Sequence, residues 1–158
     1  MCKHTEIDLI IERIKIIEII VGFANALDEN NWQKVRGYLA NEIEIDYLDF
    51  RGEIPRQVTA EEYVQQRVDA LSGLRTLHIS TNHEVTIKEN VAYCKSAYCI
   101  YRVNPQLEPG QDRFDTAGNY LHQLIRVDRE WRVNAIKQTV VVMSGNRQVH
   151  GAFRNSSS

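Results

Sequence analysis

Apolar residues at the start of the chain recur at helical spacing. Ile10, Ile14, Ile17, Val21 and Ala24 fall three or four apart, and Ile20, Phe23 and Leu27 widen the stripe. The spacing predicts a helix over about 7–27, opened by Thr5 and Asp8, which resemble a capping pair. Asp28-Glu29-Asn30-Asn31 breaks the pattern. A short second helix follows over about 32–39, with Trp32, Val35 and Leu39 on one side. Ile43, Ile45 and Tyr47 alternate with Glu44 and Asp46, which is a strand signature. Residues 51–58, with Gly52 and Pro55, read as a loop. Thr59-Ala60-Glu61-Glu62 is a capping box for a third helix whose buried face is Val64, Val68 and Leu71 and whose end is Gly73.

From Leu74 onward the period changes to two. Strands are expected over 74–80, 83–88, 91–103, 117–127 and 131–142. The breaks are Glu89-Asn90, the loop 104–116 with Pro105, Pro109 and Gly110, and the tight turn Asp128-Arg129-Glu130. Long strands joined by short turns make an antiparallel, twisted sheet. Helices first and a meander second define an α+β layer architecture with the helices on one face of the sheet.

Composition narrows the function. The 158 residues carry 19 Lys and Arg against 21 Asp and Glu, so no basic stripe marks a nucleic-acid or anionic-membrane surface. Charges at Asp8, Glu12, Arg13, Lys15 and Glu18 interrupt the Ile-rich stretch 7–26, which therefore reads as a core helix and not a membrane span. Three cysteines, Cys2, Cys94 and Cys99, are too few and too odd in number for a disulfide framework. Cys94 and Cys99, five apart on a strand, project from opposite faces. A reducing, cytoplasmic compartment is expected. The chain reads as one domain over 1–158, with 1–5 and 154–158 as frayed tails.

Strong motifs are missing. There is no GxxxxGK, no GxGxxG after a strand, no HExxH and no GxSxG, so no nucleotide, flavin or other cofactor is expected. His78 and His83 are out of phase on a strand, which argues against a metal pair. What remains is a few titratable residues in unexpected phase. Asp28 extends the row Ile17, Val21, Ala24 by one step of four, which directs its carboxylate inward unless the helix end is solvated. His78 sits between Leu77 and Ile79, so it either lines a cavity or belongs to a sheet covered on both sides. His122 alternates with Leu121 and Leu124 and faces pocket or solvent. Tyr47, Tyr93, Tyr98, Tyr101 and Tyr120 all fall on strands, where an apolar body with one hydroxyl suits a cavity holding a flat organic ligand.

The order of these features is distinctive. Phe23-Ala24-Asn25-Ala26-Leu27-Asp28-Glu29-Asn30-Asn31-Trp32, Ile45-Asp46-Tyr47, the capped helix at Thr59, Thr76-Leu77-His78 and Glu130-Trp131-Arg132-Val133 follow one another over about 7–142. In that order the chain resembles the NTF2-like superfamily, and within it the SnoaL-like branch that holds scytalone dehydratase and polyketide cyclases. The resemblance implies a cone-shaped fold, a curved antiparallel sheet wrapped around three helices with a deep pocket between them. It places the dehydratases' His–Asp pair on His78 and Asp28 and a pocket tyrosine on Tyr47.

The same resemblance marks departures. A second pocket tyrosine is replaced by Leu27, a second histidine falls near Tyr101, and a pocket asparagine falls near Tyr120. With His122, these form the expected substrate-binding set. The implied activity is cofactor-independent acid–base chemistry on a small apolar carbonyl compound, chiefly dehydration, with isomerisation and cyclisation open to the same residues. The alternative is a non-catalytic ligand-binding or assembly module, as in the superfamily's transport factors and dioxygenase small subunits. A small-molecule substrate and a homo-oligomer, dimer or trimer, are the expected partners, the latter because Val140-Val141-Val142-Met143 is too apolar for an edge exposed to solvent and would be covered in such an interface, although a wholly buried strand would read the same.

Overall fold

The computed structural model describes residues 5–154. Cys2 and most of both expected tails lie outside the described residues, whereas Thr5 and Arg154 lie within them. Helix α1 spans Glu6–Asp28, and Thr5 and Asp8 do form the full capping box at its start. Such a cap contributes about 1 kcal/mol. The helix buries Ile16, Ile20, Phe23, Ala26 and Leu27, whereas Ile10 and Ile14 are half exposed. The helical period was therefore legible but its inward face was not. Each fully buried Ile or Phe stabilises the packing by about 1.5–3 kcal/mol, so tertiary burial, not stripe width, selects the face.

Helix α2 (Trp32–Gly37) is capped by Asn31 and gives way to strand β1 (Leu39–Asp46), so Leu39 is strand and not helix. The expected loop 51–58 holds more order than its Gly and Pro suggested. A single helical turn α3 (Leu48–Arg51) ends at Gly52 in the left-handed region, φ 74°, and strand β2 (Arg56–Thr59) pairs antiparallel with β1. Helix α4 (Ala60–Leu71) starts where Thr59 caps it, and buries Tyr63, Arg67, Ala70 and Leu71. Val64 and Val68 stand at the margin of that face. Four α-helices are thus present where three helices were expected, with two further 3-10 turns at Arg147–Val149 and Gly151–Phe153, among the described residues.

The remaining strands are β3 (Arg75–Lys88), β4 (Val91–Val103), β5 (Arg113–Val127) and β6 (Glu130–Gly145). They form one curved, open sheet in the order β2-β1-β6-β5-β4-β3. All neighbours are antiparallel save β1 and β6, which run parallel. The two strands expected at 74–80 and 83–88 are one strand with a register shift between Thr81 and Glu84, where Asn82 takes φ 54°. Asparagine tolerates that left-handed conformation, so the strand bends without ending. A second bend lies at Gly118, where a Cβ would sit 2.0 Å from the Thr139 carbonyl oxygen. Only glycine permits that approach.

These bends curl the sheet so that α1 and α4 lie in its concave face. On the opposite face Val141 and Val142 are 72 % and 52 % exposed, which removes the reading of a wholly buried last strand. No described helix is long and apolar enough to cross a membrane.

Candidate active site

Because residues paired across antiparallel strands share a face, the register writes the floor of the concave side in rows. Thr76, Arg102 and Phe114 form one row, His78, Ile100 and Thr116 the next, and Cys94, His122 and Ile136 lie further along. Helices α1 and α4 cover them with Phe23, Leu27, Tyr63 and Arg67, and Tyr47 and Phe50 close one side. The cavity between them has a free volume of about 50 Å³ and opens to solvent on one side.

Asp28 and His78 meet at this cavity although they are 50 positions apart. Strand β3 is the edge of the sheet, so the backbone N–H of His78 is not used by a neighbouring strand. It donates to Asp28 Oδ2 at 2.7 Å. Thr76 Oγ1 donates to Asp28 Oδ1 at 2.8 Å, and His78 Nδ1 lies 2.5 Å from the same oxygen. A carboxylate accepts and cannot donate, so the short contact places the imidazole proton on Nδ1. Nε2 is then the basic nitrogen of a ring that lines the cavity. Both side chains are mostly buried, 11 % and 18 % exposed.

Burial alone would raise the Asp28 carboxyl, but the hydrogen bonds and charge of His78, with Thr76, outweigh it and hold it below the usual carboxylate value. For His78, burial is the largest influence and lowers it below 6.5, against the upward pull of Asp28 and with a further downward push from Arg102 and Arg67. The ring is therefore neutral near neutral pH beside an ionised partner. That is the resting state of a general base.

The other expected residues divide. Tyr47, Tyr120, His122 and Leu27 line the cavity with His78. Tyr101 does not. It follows Ile100 on β4, so it projects from the outer face, 37 % exposed, with the Arg113 guanidinium over its ring. His122 is fully buried against Phe23 and Tyr120, and burial lowers it to about 4. His83 bonds Ser80 Oγ through Nε2 at 2.9 Å, and among the described residues no group of His, Cys, Asp and Glu could hold a metal ion.

Sequence reasoning missed several wall residues. Tyr63 Oη lies 3.2 Å from Tyr47 Oη, so one hydroxyl donates to the other and the acceptor's own proton is left for a ligand. Arg67 lies over the rings of Tyr47 and Tyr63, 5.4 Å from each centroid. Arg102 donates to Thr116 Oγ1 at 3.2 Å and contacts the faces of Phe50 and Phe114. A signal for both existed. Arg67 is four residues from Tyr63 on the helix, and Arg102 is in phase with Tyr98 and Ile100 on the strand.

The curved α+β sheet folds over a mostly apolar cavity whose wall includes His78, with Asp28 bonded behind that ring. The sequence profile of the SnoaL-like domain matches residues 10–137, and the chain belongs to that family. No curated protein matches the chain. Among solved structures it is similar to the Kfla4162 protein from Kribbella flavida, with TM-score 0.84 and 23% identity over 92% of this chain and 99% of that one. It is also similar to a candidate scytalone dehydratase from Novosphingobium aromaticivorans, with TM-score 0.76 and 14% identity over 88% and 90%. A hexachlorocyclohexane dehydrochlorinase follows at TM-score 0.74 and 12% identity over 89% and 92%. At these identities the likeness establishes the shared fold.

Proposed function

We propose that this protein is a cofactor-independent acid–base enzyme that removes water from a small β-hydroxycarbonyl compound. The observation that carries the reading is the 2.5 Å contact between His78 Nδ1 and Asp28 in a largely buried cavity wall. In the first step His78 Nε2 takes the proton α to the carbonyl, and the C–H electron pair moves into an enolate. Whichever of Tyr47 and Tyr63 accepts in their shared hydrogen bond donates its own proton to the enolate oxygen, where negative charge develops. The enolate then expels the β-hydroxyl, which takes the proton back from the His78 imidazolium and leaves as water. A base so placed contributes about 10²–10⁴-fold. Asp28 acts through His78 as a positioning residue, fixing the Nδ1–H tautomer and stabilising the imidazolium.

Two of the solved structures of this fold carry names of elimination enzymes, a dehydratase and a dehydrochlorinase, which supports elimination over isomerisation and cyclisation. We also assign a homo-oligomer, supported by the exposed apolar side chains Leu77, Leu121 and Val142 on the sheet. The test of the activity is turnover of a β-hydroxyketone panel, followed by loss of enone absorbance gain in H78A and D28N. Unchanged rates in folded variants would contradict the assignment and favour a ligand-binding module.

A further inference from the structure

Six arginines in the described chain, Arg36, Arg51, Arg56, Arg113, Arg126 and Arg132, have a carboxylate within ion-pair distance. Arg67 and Arg102 have none. Arg67 is 8 % exposed and Arg102 2 %, and both line the cavity. Nε and Nη2 of Arg67, and Nε of Arg102, are buried without a hydrogen-bond partner. No Asp or Glu lines the cavity with them. The acids near them are engaged elsewhere: Asp28 by Thr76 and by the backbone and ring of His78, Glu53 by Arg51, and Asp115 by Arg113.

Removing a guanidinium from water is costly, and a cation–π contact returns only a part of that cost. A fold gains nothing by holding two such charges in one cavity. With Asp28 ionised and His78 neutral, the cavity and its dyad carry Asp28 at −1 and two arginines at +2, a balance of +1. When His78 takes a proton the balance rises to +2. Arg102 is lowered by burial only to about 10 and so keeps its charge near neutral pH.

We propose that the ligand of this cavity carries a carboxylate, bound through the unpartnered guanidinium N–H groups of Arg67 and Arg102 and distinct from the carbonyl at which His78 acts. The planar fork of Arg67, pre-set by stacking on Tyr47 and Tyr63, matches a carboxylate's two oxygens. One negative charge brings the cavity to neutrality in its resting state. It also offsets the positive charge gained when His78 is protonated, which favours proton abstraction from an acid-bearing substrate over its neutral analogue. The inference rests on this cavity being the substrate site, but not on the chemistry given to His78.

The experiment is calorimetric titration of benzoate, cinnamate and phenylpyruvate, each against its primary amide of the same shape. The acids are expected to bind at least about tenfold more tightly than the amides, since charge-assisted hydrogen bonds are roughly twice as strong as neutral ones. R67Q and R102Q should each reduce that preference to about threefold or less. Arg102 stands on the sheet and Arg67 on a helix, so R102Q serves should R67Q not fold. H78A should keep the preference while losing turnover, which separates a failure here from a failure of the acid–base reading. Equal binding of acids and amides, binding of neither, or an undiminished preference in R102Q would overturn the proposal.

Discussion

Two polar clusters in this protein are built from the same kinds of side chain and left in opposite states. Outside the cavity, α1, β5 and β6 meet through Glu12, whose Oε2 accepts from Arg126 Nη2 at 2.5 Å and from Trp131 Nε1 at 2.7 Å. Lys15 reaches its other oxygen at 3.0 Å, and the Arg126 guanidinium stacks on the Trp131 ring 4.3 Å from its centroid. Every charge there has a partner. Inside the cavity, Arg67, Arg102 and His122 keep buried nitrogens with none. A cluster that joins three elements stabilises the fold when it is complete. One that leaves donors unpaired in a dry space costs stability, and residues of that kind are retained for what they bind.

The comparison is open to direct attack. The largest effect falls on the dyad: H78A should lower turnover by about 10²–10⁴-fold. Acid sensitivity comes next. His122 drops from the usual 6.5 to about 4 because burial disfavours its charged form. Its stabilising contribution is therefore complete above 6.5 and is lost as pH falls from 6.5 toward 4. At about 1.4 kcal/mol per unit this amounts to about 3 kcal/mol, and His78, also lowered, adds to the loss in the same direction. Urea denaturation across that window checks it, and H122L should flatten the slope. Asp28 loses its own contribution only further down, below its ordinary value of 3.8.

The two clusters should then respond to truncation with opposite sign. E12A leaves Arg126 and the Trp131 N–H without their acceptor, and is expected to cost about 2–3 kcal/mol without altering the choice between acids and amides. R67M removes a buried, unpaired charge and keeps its apolar volume. It should leave stability unchanged or raise it by about 1 kcal/mol while reducing that choice to about threefold or less. Loss of stability in R67M as large as in E12A would show both clusters to be structural.

The sequence disclosed one half of the site more readily than the other, for physical reasons. Asp28 was legible because a carboxylate continuing the row Ile17, Val21, Ala24 is an anomaly of phase, and His78 because it stands between two apolar strand neighbours. Arg67 and Arg102 are the same anomaly, but arginines are so often solvated that a position beside Gln65 and Gln66 or before Val103 draws no notice. The inward face of α1 was misread because isoleucines surround its first turns, and only packing against β3 and the sheet decides which of them are buried. Tyr101 was misplaced by a single residue of strand phase, enough to move a side chain through the sheet. The turn of helix at Leu48–Arg51 and the short strand β2 escaped because four-residue elements carry too few positions to show a period.

The dyad is tested most directly by the protonation state of the His78 ring, which nitrogen-15 spectroscopy of histidine-labelled protein reads at the two imidazole nitrogens. The prediction is a neutral His78 near pH 7 with its proton on Nδ1, titrating below 6.5, and a D28N variant in which the tautomer preference weakens. A proton on Nε2, or an imidazolium at neutral pH, would contradict it.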